Sequence, residues 1–197
     1  MSQFTEVTSG LAFPEGPIAM PDGSVILVEM FGPRLTRVMP DGTKKTIAEV
    51  PGGPNGAAVG PGGLVYVCNN GARFQPVEME GLCFPSGSGP DRYRGGSIDT
   101  VDVNSGKVTT LYTHCNGVRL AAPNDLVFDN QGGFYFTDHG YSHERTATLT
   151  GIYYAKADGS LIKEIVFPAH EPNGIGLSPD GKKLYWAETW TGRIMQR

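Results

Sequence analysis

Four stretches of this 197-residue chain repeat one short design, and that repetition constrains the fold more than any other feature. They are FPEGPIAMPDGSVILVE (13–29), GPNGAAVGPGGLVYVCN (53–69), APNDLVFDNQGGFYFTD (122–138) and EPNGIGLSPDGKKLYWAE (171–188). Glu15, Asn55, Asn124 and Asn173 each follow a proline, and each is followed eight residues later by a glycine. These four positions are called anchors here. Every unit then runs through an apolar or aromatic stretch to a polar residue: Glu29, Asn69, Asp138 or Glu188. A short strand, a turn and a returning antiparallel strand account for the pattern. The polar residue then comes back to the level of the anchor.

Third strands are predicted at 34–39, 97–103, 152–155 and from 193 onward, and fourth strands at about 44–48, 107–112 and 161–167. Asp41-Gly42, Ser105-Gly106 and Asp158-Gly159 mark the turns between them. Four antiparallel strands per unit make the blade of a β-propeller. No stretch carries a capped 3.6-residue apolar period, so almost no helix is expected. The chain reads as a single all-β propeller domain, 1–197. It stops in the third strand of its fourth unit, so about four blades and an incomplete C-terminus are expected; a closed four-bladed ring is the alternative.

Composition supports this reading. The 28 glycines and 15 prolines recur at fixed places in the units, which suits tight turns and argues against disorder. The net charge of −4 comes with no basic run, so nothing prepares a nucleic-acid footprint. The N-terminal residues lack the pattern of a secretory signal, and no apolar run is long enough to span a membrane. Three cysteines, Cys68, Cys83 and Cys115, have no motif spacing. A cytoplasmic protein with neither nucleic-acid nor membrane partners is expected.

The anchors begin the strands nearest the axis and converge from successive blades. Carboxylate and amide oxygens around an axis suit a hard cation such as calcium, magnesium or manganese, with zinc a further option. Pro-Asn-Gly is also an ordinary turn sequence. Glu15 shifts the balance, because a carboxylate at a narrow axis is costly unless a cation or a donor meets it.

On these residues the chain resembles the gluconolactonase, regucalcin and luciferin-regenerating family. Glu15 in FPEGP, Asn124 in APNDLVFD and Asn173 in EPNGIGLSPDGKKLY carry the resemblance. The resemblance implies a six-bladed propeller and one divalent cation, calcium first, held by a Glu, two Asn and an Asp. Glu15, Asn124 and Asn173 match the first three, and their catalytic role runs through the metal. The fourth, also the general-base candidate, would lie beyond Arg197. Some sugar-lactone members carry an arginine two residues before the matching Asn; here that residue is Ala122.

The implied activity is hydrolysis of a small sugar lactone, with the cation polarising the carbonyl for attack by water. No Gly-x-Ser-x-Gly elbow offers an α/β-hydrolase route. An organophosphate or aryl-ester hydrolase and a non-enzymatic binding propeller are the alternatives. Substrate contacts are expected from Asn55, Arg73, Asp138, His139, Tyr141 and His143. These involve two site-face loops, 71–95, expected to be irregular, and 139–150. His139 and His143 are four apart, but Gly140 between them argues against a helical metal pair. His114 and His170 read as turn or surface residues.

Overall fold

A computed structural model describes residues 4–87, 91–142 and 145–197. Apart from a 3₁₀ turn at Pro61–Gly63, the named elements are strands. Blade one contains β1 (Pro14–Ala19), β2 (Val25–Glu29), β3 (Arg34–Val38) and β4 (Lys44–Glu49), in that order. Blade two contains β5 (Pro54–Val59) and β6 (Val65–Asn69). After a separate hairpin, β7 (Phe74–Met79) with β8 (Leu82–Gly87), it adds β9 (Ser97–Val101) and β10 (Val108–Tyr112). A two-residue pair, β11 (His114–Cys115) with β12 (Val118–Arg119), leads to blade three. That blade is β13 (Pro123–Phe128), β14 (Gly133–Asp138), β15 (Thr150–Lys156) and β16 (Ile162–Ala169). Blade four is β17 (Pro172–Leu177), β18 (Leu184–Glu188) and β19 (Arg193–Gln196). This is an all-β propeller arrangement with four blades. No helix among the described residues is long and apolar enough to cross a membrane.

The repeat maps onto the blades with one register. Pro14 lies opposite Glu29, Pro54 opposite Asn69, Pro123 opposite Asp138 and Pro172 opposite Glu188. Each pairing then slips by a bulge just after the anchor, which re-aims the anchor side chain. At the far end, three of the four first turns are closed by an aspartate. Asp22 accepts the Ser24 N–H, Asp129 the Gln131 and Gly133 N–H groups, and Asp180 the Lys182 N–H. The second unit has Pro61-Gly62-Gly63 in place of that aspartate, and there the turn tightens to 3₁₀.

Packing explains why the second strands are so apolar. β6 is buried along its whole length because it sits between two blades. Val65 and Val67 face blade one, in a cluster with Ile26, Val28 and Leu35. Tyr66 and Cys68 alternate to the other side, in a cluster with Phe134, Phe136 and Tyr153 of blade three. A third cluster joins Ile152 and Ala169 of blade three to Leu184 and Trp186 of blade four. Each interface between consecutive blades therefore has its own apolar filling.

The 71–95 insertion differs from the irregular loop expected of it, because most of it is the β7–β8 hairpin. Glu80 (φ 54°) and Gly81 (φ 77°) both take left-handed backbone, as a two-residue type I′ hairpin turn requires. Pro76 and Pro85 lie opposite one another, at a position where neither supplies a ladder N–H.

Candidate functional site

Each anchor is set from behind by backbone. The residue just past the second strand donates its N–H to the carbonyl two residues before the anchor. Met30 donates to Phe13, Asn70 to Gly53, His139 to Ala122 and Thr189 to Glu171, at 2.8–3.1 Å. The polar residue that ends each second strand reinforces this joint. Glu29 accepts the Ala12 N–H at 2.7 Å, a forked Arg34 at 2.8 and 2.9 Å and the Thr36 hydroxyl at 2.6 Å. Asn69 accepts the N–H groups of Gly53 and Gly71. Glu188 takes the His170 N–H at 3.4 Å and the Thr191 hydroxyl. Asp138, 1% exposed, accepts the N–H groups of Ala121, Ala122 and Gly140 at 2.7–3.0 Å. Burial pushes the Asp138 carboxyl up, and those three donors oppose the push. Its oxygens are thus engaged by the backbone that precedes Asn124.

The four anchors meet. Glu15, Asn55, Asn124 and Asn173 line one cavity of about 300 Å³, together with Gly16, Pro17, Gly56, Ala57 and Asp125. Close approach of the first strands makes this possible. A Cβ on Gly16 would lie 2.5 Å from the Ala57 nitrogen, and one on Gly56 would lie 2.5 Å from the Asn124 oxygen. In the third unit the residue after the anchor is Asp125 where the other units have glycine. Its carboxylate accepts the Leu126 N–H at 2.8 Å and reaches blade four through the Ile175 N–H at 3.2 Å.

Asp125 is a site residue that reading the sequence missed. The signal was available, since an acid replaces glycine there just as an acid replaces asparagine at Glu15. Burial first, and then the charge of Asp125, raise the Glu15 carboxyl above its ordinary value; burial also raises that of Asp125. Among the described residues no lysine, arginine or histidine lines the cavity.

Among the described residues no group of three His, Cys, Asp or Glu side chains is placed to hold a metal. The donor set in the cavity is of another kind, two carboxylates and three amides. Those are hard oxygen ligands, and the excess of negative charge is what a divalent cation would neutralise, so the residues present fit such an ion.

The other expected contacts form a second cluster. Arg73, 3% exposed, directs Nη1 to His139 Nδ1 at 2.6 Å and Nη2 to Ser142 Oγ at 2.9 Å and Glu171 Oε1 at 3.2 Å. Arginine has no acceptor, so His139 Nδ1 accepts and the ring proton sits on Nε2. Burial and the adjacent guanidinium lower the His139 pKa to about 4, so the ring is neutral at pH 7. Tyr141 is buried with its ring 4.6 Å from that of Tyr93. His143 lies outside the described residues. Arg73, His139 and Tyr141 do not line the anchor cavity, whereas Asn55 does. A larger cleft of about 810 Å³ lies at the opposite, turn end of blades three and four, beside Asp129, Asp180 and Lys182.

Known proteins resemble this chain along most of its length. A lactonase, drp35, from Staphylococcus haemolyticus is 29% identical over 181 residues, covering 91% of this chain and 49% of the relative. Its counterpart from Staphylococcus epidermidis is 46% identical over 71 residues, 36% of this chain and 21% of that one. Among solved structures, a gluconolactonase from Xanthomonas campestris superimposes with a TM-score of 0.74 at 22% identity, over 96% of this chain and 59% of its own. The chain therefore spans at most about half the length of these curated relatives and about three fifths of that structure. Residues 13–197 match the SMP-30/Gluconolactonase/LRE-like region, and on that match the chain belongs to this family.

Proposed function

We propose that the protein is a lactonase that opens small sugar lactones at the anchor cavity, with one divalent cation, calcium first on the family resemblance and magnesium, manganese or zinc the alternatives, held by Glu15, Asn124 and Asn173. The observation that carries this reading is the cavity itself. Two carboxylates and three amides converge on about 300 Å³, with no cationic side chain among the described lining residues. The family and the lactonase relatives support lactone hydrolysis. A bound cation would supply Lewis-acid polarisation of the lactone carbonyl.

The chain's own residues do the rest. Glu15 contributes formal charge from a half-buried position, where charge acts strongly. Asn124 and Asn173 add neutral oxygens without further repulsion. Asn55, 6% exposed at the cavity wall, has an amide that can both donate to and accept from a substrate hydroxyl. Asp125, pinned by Leu126 and Ile175, fixes a second negative charge beside Glu15. A six-bladed ring, in which a later aspartate completes the site and serves as general base, belongs to the same proposal.

Hydrolysis of a panel of sugar lactones, aryl esters and an organophosphate, followed by pH-stat, tests it. Lactone turnover that falls roughly a hundredfold or more in Glu15→Gln, with an unchanged melting temperature, is the expected result. Turnover of the aryl esters or the organophosphate alone would replace the lactonase with another hydrolase, and no turnover of any of them would leave a binding propeller.

A further inference from the structure

The anchors are only as well placed as the joints behind them, and one residue ties three of the four joints together, one through its backbone and two through its side chain. Arg73 lies between β6 and β7, just before Phe74. Its backbone N–H donates to Asn70 Oδ1 at 3.1 Å, and Asn70 in turn holds the Gly53 carbonyl behind Asn55. Its Nη1 meets His139, whose N–H holds the Ala122 carbonyl behind Asn124. Its Nη2 meets Glu171, two residues before Asn173, and Ser142, whose hydroxyl also donates to Glu171 at 2.8 Å. Phe74, at the start of the β7–β8 hairpin, closes over the guanidinium at 4.5 Å.

We propose that Arg73 is the positioning residue of the anchor site, fixing the separation of Asn55, Asn124 and Asn173 through the joints of blades two, three and four. The proposal rests on the anchors being the binding site. Blade one has no such tie among the described residues. The burden falls most heavily on blade four. Glu171 is a non-glycine residue in left-handed backbone (φ 48°), a conformation that persists where surrounding bonds hold it. Arg73 and Ser142 supply those bonds. A lysine would not replace the arginine, because a single ammonium cannot span His139, Ser142 and Glu171 as a planar fork does.

The test follows the side-chain amides of Asn173, Asn124 and Asn55 by NMR, with the Gly16 backbone amide of blade one as internal reference. Arg73→Met is expected to displace the Asn173 amide most and the Gly16 amide least, and Arg73→Lys is expected not to restore it. Glu171→Gln and Ser142→Ala, which leave the arginine in place, are expected to displace Asn173 in the same sense. They carry the test if Arg73→Met fails to fold. Asn173 resonances unmoved in these variants, or shifts spread evenly over all four blades, would overturn the proposal. Calcium titrated into the same samples is expected to bind Arg73→Met about tenfold more weakly than wild type. Calcium that does not bind the wild-type chain overturns the cation reading, while the Asn173 shifts still decide the role of Arg73.

Discussion

Glu29 shows what the acidic residue closing a second strand does in this molecule. Burial alone would raise its carboxyl, but the Arg34 fork, the Ala12 N–H and the Thr36 hydroxyl outweigh that and hold it at about 2. An unfolded glutamate titrates near 4.5. The bonds therefore stabilise the fold fully above pH 4.5 and lose their effect as pH falls through 2, below which both states are protonated. Glu29→Gln is expected to cost about 2 kcal/mol at pH 7. The difference from wild type in urea denaturation is expected to shrink steadily as pH falls from 4.5 through 2; a difference as large at pH 2 as at pH 7 would contradict this. The chemistry of single residues was legible in the sequence where the repeat made it conspicuous. Glu15 stood out as an acid among amides, and the cavity contains it. Asp125 broke the repeat in the same manner but was passed over. The partners of Arg73 were illegible, because His139 and Glu171 lie 66 and 98 residues away in sequence and only blade packing brings them to it.

Among the elements, the first strands matter most to the site, since their spacing sets the size of the cavity. Gly56 in β5 lies against the backbone of β13, where an added Cβ would be 2.5 Å from the Asn124 oxygen and 2.6 Å from Asp125 Cα. Backbone cannot yield as a flexible side chain can. Gly56→Ala is expected to cost about 1–3 kcal/mol and to spread the anchors. Gly176→Ala in β17, where nothing lies within 4 Å of the added Cβ, is expected to stay within about 0.5 kcal/mol of wild type. Denaturant melts of the two variants compare them directly, and equal costs would contradict the close-approach argument. The main strands could be read from the sequence to within a residue or two, because alternation and turn residues recur in register. The β7–β8 hairpin could not. Its turn is Glu80-Gly81 rather than Asn-Gly, and its two prolines look like breakers until they are seen opposite one another.

At the level of the whole molecule, three apolar clusters hold consecutive blades face to face, and this carries four polar residues to one place. No single blade contains the site. The convergence of the anchors was legible once the repeat was recognised as blades, since a repeat that winds around an axis must bring equivalent positions together. The electrostatic character of the cavity was less so, because it depends on Asp125, which joins a second carboxylate to Glu15. Calcium binding is best measured by titration calorimetry on the full chain and on Glu15→Gln. One calcium per chain is expected for the wild type, with a loss of affinity of roughly a hundredfold or more in the variant. No binding to the wild type, or equal binding to both, would contradict it.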